Sequence, residues 1–315
     1  MNINLGLHLT QRAGLSPDLE AYVEPSTNTR LTYADLNAMA NRCSSVLSEL
    51  GLEPGDRMAL LMQNCVEFVA LFYAAAKLGI VVVPLNTRLT PSELSFILSD
   101  SGSKALFYGA ECGELASGIK ANKDHPLGIT TWVRIRPGAV DDPGLEALLE
   151  KATDAEPEPV DGGDNNLFIM YTSGTTGLPK GVVHTHETIS WAAMSWATTM
   201  DIRYRDRSLL PLPMFHVAAL TSVITGAVGG GTIVSMPNFD PMTVWSLIKE
   251  ERVTTGATGS IYFGEVEAIG SVTGTRKLVA GQDPVLLRTF AGLRLLWRDG
   301  TALKLLRLDQ RPWAK

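Results

Sequence analysis

Cysteine is scarce in this 315-residue chain. Cys43, Cys65 and Cys112 have no metal-ligand spacing, and their odd number argues against a disulfide framework. Cys43 and Cys65 fall on the apolar faces of expected helices, which predicts buried thiols. Charge is sparse too. Charged residues make up 19% of the chain and the net charge is −6, a balance that speaks against a general nucleic-acid binder. The opening Met1-Asn2-Ile3-Asn4-Leu5-Gly6-Leu7 has no basic n-region and no cleavable apolar core, so no signal peptide and a cytoplasmic location are expected. The one long uncharged stretch, Val217 to Phe239, is broken by Gly229-Gly230-Gly231 and dotted with Thr221, Ser222, Thr225, Thr232 and Ser235. It predicts a buried helix followed by a buried strand rather than a membrane span. No internal repeat is visible.

What is present is a soluble, 45% apolar chain, long enough for two domains or one large one. Its first hundred residues alternate between two periods. Thr32 with Asp35 opens a helix carrying Leu36, Met39, Ala40, Cys43, Val46, Leu47 and Leu50, and Gly51 closes it. Met58 to Met62 reads as a buried strand. Asn64 with Glu67 is expected to cap a second helix that ends at Gly79. Ile80 to Pro84 is the next strand, Thr90-Pro91-Ser92-Glu93 starts another helix, and Lys104 to Tyr108 is a third strand. Such alternation predicts an α/β fold built on parallel strands. Residues 150–166 are acidic and rich in Pro and Gly, as expected of a linker or long surface loop.

Leu167 to Met170 then reads as a strand running into Tyr171-Thr172-Ser173-Gly174-Thr175-Thr176-Gly177-Leu178-Pro179-Lys180-Gly181. Hydroxyls, glycines and one lysine are concentrated there with no Asp or Glu to repel an anion. Glycine lets backbone N–H groups approach oxygen atoms, the hydroxyls donate further bonds and Lys180 adds a point charge, so the loop suits a polyphosphate. It is not a Walker A loop, because Leu178 and Pro179 separate Gly177 from Lys180. Val182-Val183 starts the following strand and Glu187 to Met200 a helix. His184 and His186 would share a strand face, but no third ligand is near, so a structural role at the strand-to-helix junction is expected. Trp191 and Trp196 are expected to pack. Arg203, Arg205 and Arg207 read as a solvated basic edge, with a phosphate or lipid contact as the alternative.

Residues 171–181 resemble the phosphate-binding motif of the AMP-forming, adenylate-forming superfamily, which holds acyl-CoA synthetases, aryl-CoA ligases and luciferase-like enzymes. Leu71 to Gly79 with Pro84 to Leu89, and Leu210-Pro211-Leu212-Pro213-Met214-Phe215-His216-Val217, are similar to two further blocks of that family. From Leu5 to about Gly256 the chain resembles a bacterial medium- to long-chain fatty-acyl-CoA synthetase. The resemblance implies ATP, Mg²⁺ and CoA, with a carboxylate attacking the α-phosphate of Mg-ATP and CoA thiol then taking the acyl group. It implies that Thr172, Ser173, Gly174, Thr175, Thr176, Gly177 and Lys180 wrap the departing phosphates. It also implies that Phe215-His216 borders the acyl pocket. A core histidine bonded to a backbone carbonyl is the alternative for His216. The implied partner is a carboxylic acid, most simply a fatty acid, with an aryl acid as the second choice.

After Gly256 the family's Gly-Gly-Ala-Pro-like turn, its Tyr-Gly-x-Thr-Glu motif with the Mg²⁺ glutamate, its ribose-binding Thr-Gly-Asp and its adenylation lysine are not found. Acidic residues predominate up to residue 256 and basic ones after it, where Leu and Arg recur, as in Leu293 to Arg298 and Leu303 to Leu308. A reading-frame change near residue 257 is the simplest expected cause. The segment is read either as a tail without an evolved fold or as a basic amphipathic helix making weak peripheral membrane contact. The expected organisation is a partial N-terminal adenylate-forming domain over 1–256 and a divergent tail over 257–315. Parallel sheets flanked by helices, an incomplete second sheet, no C-terminal domain and marginal stability complete the expectation. Low catalytic competence follows, and a nucleotide-binding remnant is the alternative function.

Overall fold

The computed structural model describes residues 4–172, 177–256 and three strands at 285–289, 292–299 and 302–307. The N-terminal part runs α1 (Gly6–Leu15), β1 (Glu20–Glu24), β2 (Thr29–Thr32), α2 (Tyr33–Glu49), β3 (Arg57–Leu61), α3 (Val66–Leu78) and β4 (Val81–Pro84). It continues with α4 (Pro91–Ser101), β5 (Ala105–Gly109), α5 (Gly113–Ala121), β6 (Thr131–Ile135) and α6 (Leu145–Leu149). Then come β7 (Asn166–Thr172), β8 (Lys180–Thr185), α7 (His186–Thr199), β9 (Arg207–Leu210), α8 (Val217–Gly229), β10 (Thr232–Ser235), α9 (Pro241–Glu250) and β11 (Thr255–Gly256). The last strands are β12 (Val285–Thr289), β13 (Gly292–Asp299) and β14 (Ala302–Arg307).

Local chemistry explains the boundaries that were expected. Thr32 with Asp35 and Thr90 with Glu93 form reciprocal capping boxes on α2 and α4, and Gly79 ends α3 in the left-handed conformation. The uncharged stretch after Val217 is α8 followed by β10, and no described helix is long and apolar enough to cross a membrane. Leu293 to Arg298 and Leu303 to Arg307 lie on antiparallel strands, not on a helix. Leu293, Leu295 and Trp297 recur every second residue, which is the strand period.

The strands form two sheets. The first has the order β6-β5-β3-β4-β7-β8, with every pair parallel except the β7–β8 hairpin at its edge. The second has the order β14-β13-β12-β11-β9-β10-β1-β2, parallel from β12 through β1 and antiparallel at both edges. Parallel cores therefore carry antiparallel margins at one edge of the first sheet and both edges of the second. β3 of the first sheet and β9 and β10 of the second end in loops that meet one another (below).

Helix α3 occupies the middle of the main core. Every one of its residues except Glu67 and Leu78 is buried, so it is apolar nearly all round, as a helix packed on all sides must be. Phe68, Leu71, Phe72 and Tyr73 are 1% exposed or less, and each such burial contributes roughly 1.5–3 kcal/mol. The Phe72 ring meets Phe168 of β7 with centres 6.2 Å apart, which couples the helix to the strand that leads into the donor-rich loop.

Full burial creates a polar problem at the C-terminal end of α3. The Lys77 side chain is 1% exposed, and its Nζ donates to Asn37 Oδ1 (2.7 Å), Asn41 Oδ1 (2.6 Å) and Glu156 Oε1 (2.7 Å). Glu156 also accepts from Thr10, Asn37 and Asn41. The acidic segment expected as a linker is thus a strap laid across α1, α2 and α3. Val160 N donates to Lys77 O, and Asn4 Nδ2 to Val160 O. The segment does not separate two sheets, since β4 and β7 on either side of it are neighbours. A buried ammonium needs a counter-ion, and Glu156 supplies one from 79 residues away.

Partial burial opposes ionisation of Glu156, but the bonds from Lys77, Thr10, Asn37 and Asn41 outweigh it and bring its pKa down to about 2. Because this lies below the ordinary 4.5, the stabilisation is complete above pH 4.5 and is lost as pH falls toward 2. Glu156→Gln is expected to lower stability at pH 7 by about 1–2 kcal/mol, the smaller part of the usual range because the side chain is 35% exposed. Urea titrations at pH 7 and pH 3 check this. The gap between variant and parent should narrow at pH 3, and an equal gap at both would contradict the assignment.

Candidate functional site

The donor-rich loop connects β7 to β8. Thr172 and Lys180 are opposed across the hairpin, both solvent-exposed, so a hydroxyl and an ammonium stand at the two feet of the loop. Ser173, Gly174, Thr175 and Thr176 lie outside the described residues. Gly177 has φ +112°, a conformation that L side chains rarely adopt, and open space surrounds it. Gly181 serves a different purpose from the phosphate approach expected of the loop's glycines. A Cβ there would come within 2.8 Å of Ile169 Cγ2 and 3.1 Å of the Tyr171 ring, so its bare backbone makes room for packing across the hairpin. The Tyr171 hydroxyl donates to Asp100 Oδ2 (2.6 Å), fastening the base of the hairpin to α4.

His216 caps α8 from the loop after β9, and its carbonyl accepts from Ala219 N and Leu220 N at 3.1 Å. Its side chain is not a core histidine bonded to a carbonyl. The residue is exposed, and the imidazole has no hydrogen-bond partner among the described residues. It leans on Phe215, ring centres 4.6 Å apart. That partial desolvation comes first in lowering its pKa, and the Arg88 guanidinium comes second. The ring is therefore neutral at pH 7, with one N–H to donate and one nitrogen to accept. Arg88 lies in the loop after β4 of the first sheet, whereas His216 follows β9 of the second.

A narrow pocket lies between α7, α8 and the strands β9 and β11. Trp196, Met200, Ile202, Thr225, Gly226 and Gly256 line it together with Ser208, Ser222 and Thr255, and none of these carries a charge. Ser222, Thr225 and Gly226 are in the later turns of α8, and His216 at its start is not among the lining residues. Gly226 stands about 15 Å along the axis from His216 at 1.5 Å per residue.

Other candidates separate. His184 is on β8, against Phe168 at 4.6 Å between ring centres, whereas His186 begins α7 and is fully buried. His186 Nδ1 accepts from Leu5 N at 3.0 Å, and burial lowers its pKa to about 4, so it serves the junction with the N-terminus. Among the described residues no group of three His, Cys, Asp or Glu could hold a metal ion. Trp191, expected to pack, is 59% exposed, because it faces solvent one turn after Glu187, whose carboxylate accepts its N–H. The three arginines do not form one basic edge. Arg207 pairs with Glu20 and Glu251, Arg203 with Asp201, and Arg205 rests on the Tyr204 ring.

Two residues of the site were missed in the sequence. Arg88 carried no local signal beyond its block, and Asn64, expected as the cap of α3, is not one. Cys65 holds that position, and Val66 N is bonded by Glu24 Oε2 instead. Arg88→Ala is expected to raise the His216 pKa part of the way toward 6.5, leaving the contribution of burial in place. A histidine-selective NMR titration measures it, and an unchanged value would remove Arg88 from the site.

Comparison with known proteins places this geometry. Residues 9–271 match the AMP-binding enzyme family, a match that runs past Gly256. The chain is 58% identical over 260 residues to the long-chain-fatty-acid–CoA ligase FadD13 of Mycobacterium tuberculosis, covering 80% of this chain and 49% of that one. It is 34% identical over 254 residues to a feruloyl-CoA synthase of an Amycolatopsis species, covering 80% and 48%. The N-terminal domain of FACL13 from Mycobacterium tuberculosis, solved with an inhibitor bound, superposes with a TM-score of 0.77 at 59% identity, over 81% of this chain and 62% of that one. This chain spans about half the length of the curated relatives it matches. With a family match over most of its length and a fold shared with the FACL13 domain, the chain belongs to the AMP-binding enzyme family.

Proposed function

We propose that this chain binds ATP and a medium- to long-chain fatty acid side by side, as the nucleotide- and acyl-binding part of an AMP-forming fatty-acid–CoA ligase. The observation that carries the proposal is the β7–β8 hairpin, whose feet Thr172 and Lys180 set a hydroxyl and an ammonium on either side of a loop without a carboxylate. FadD13, the relative at 58% identity, is by name a ligase of long-chain fatty acids.

The loop's donor set fits a chain of phosphates, with hydroxyls, backbone N–H groups and an ammonium and no carboxylate among them. Thr172 and Lys180 would hold it from the two feet of the hairpin, with Ser173, Gly174, Thr175, Thr176 and Gly177 between them. Bound there, Mg-ATP supplies an electrophilic phosphorus and a pyrophosphate leaving group, and CoA accepts the acyl group afterwards. Neutral His216 would orient the fatty carboxylate without a charge of its own, and the Phe215 ring would shield it from water on one side. No described residue is assigned to Mg²⁺.

Equilibrium binding and pyrophosphate exchange test the proposal together. ATP and dodecanoate should each bind the chain, and Lys180→Ala should weaken ATP by about tenfold or more while leaving dodecanoate affinity in place. Dodecanoate-dependent exchange of labelled pyrophosphate into ATP distinguishes a working adenylation site from a nucleotide-binding remnant, which would bind ATP without exchange. Binding of benzoate in preference to dodecanoate would overturn the fatty-acid assignment.

A further inference from the structure

The His216 segment has little means of holding itself in place. It leaves β9 as Leu210-Pro211-Leu212-Pro213-Met214-Phe215-His216, and its two prolines remove two backbone donors. Inside the segment His216 N bonds Pro213 O at 3.0 Å. At its start Leu210 O accepts from Met236 N at 3.1 Å and Met214 is buried in the core, but the backbone groups of Leu212 and Met214 are bonded by one distant side chain. Asn64 is 2% exposed, its Nδ2 donates to Leu212 O (2.9 Å) and Met236 O (3.0 Å), and its Oδ1 accepts from Met214 N (2.8 Å).

We propose that Asn64 is the positioning residue of the acyl site, binding the turn that carries Phe215 and His216 and tying it to the end of β10. The amide bonds three backbone groups from two loops, and these are 148 to 172 residues away in sequence. Asn64 leaves the end of β3 in the first sheet, and its partners follow β9 and β10 in the second, so it bridges the two sheets where His216 stands. Its own backbone leads directly into buried α3, a stiff anchor. The chemistry is specific to asparagine. Aspartate would set a negative charge against two carbonyl oxygens, glutamine is one methylene too long for a filled site, and serine could replace one bond at most. Local helix capping, the ordinary use of Asn before a helix, is not what this residue does.

The proposal rests on the assignment of His216 to the acid's carboxylate end, and the test separates the two. Asn64→Ala and Asn64→Asp are made in the full chain. Amide hydrogen exchange across 211–217 and 236–238 should speed up by about tenfold or more, with β3 to β5 unchanged. Dodecanoate affinity should fall about tenfold while ATP affinity stays within about twofold, a split that general loss of stability would not give. The His216 titration should also shift, since the ring loses its fixed place against Phe215. If the two variants do not fold, Asn64→Ser carries the same readouts with a smaller effect. Unchanged exchange at 211–217, or equal losses of ATP and acid affinity, would overturn the role of Asn64. If the parent chain binds no dodecanoate, the acyl assignment fails, and the exchange and His216 measurements still decide whether Asn64 holds the segment.

Discussion

A helix buried on all sides can be stable only if every polar group at its ends finds a partner, and α3 imposes that condition on the rest of this fold. At its N-terminal end Val66 N is bonded by Glu24 Oε2. Glu24, itself 1% exposed, is held by Arg136, which also grips Glu67 at 2.8 and 2.9 Å. At its C-terminal end Lys77 recruits Asn37, Asn41 and Glu156. Removing one partner from such a set leaves a buried charge less well compensated, which costs more than losing a surface pair. The helix therefore fixes β1, the loop after β6 and the strap over 150–166 at once.

Function follows from where α3 begins. The end of β3, the Asn64 amide and the first turn of α3 meet the loops after β9 and β10. Ligands of open α/β sheets bind outside the carboxyl ends of parallel strands, and here the ends of two sheets are brought to one place. The β7–β8 hairpin adds a loop rich in donors, fastened at its base by Tyr171 to Asp100. The chain belongs to the AMP-binding enzyme family, and that loop is the part of it whose donors suit a chain of phosphates.

Much of this was legible in the sequence where the cause is local. Thr32 with Asp35, Thr90 with Glu93 and Gly79 mark helix ends through bonds spanning three or four residues, and the structure has those ends. The hairpin strands on either side of the donor-rich loop were likewise evident from short apolar runs. Less was legible where one residue answers another far away. Glu24 sits buried in β1 only because Arg136 pairs with it from 112 residues on, and nothing in Glu20 to Glu24 signals that. Glu156 looked like one more acid in a polar stretch. Asn64 carried a capping pattern and is used for something else, because the demand of a proline-rich turn outweighed a local bond.

The central claim is that one place on this chain receives both the phosphates and the acid, and amide hydrogen exchange with and without saturating Mg-ATP tests it most directly. Slowed exchange in the peptide covering 171–181, extended to 212–217 when dodecanoate is added, is the predicted result. ATP binding that leaves 171–181 unprotected, or protects a surface away from the β7–β8 hairpin, would contradict the account.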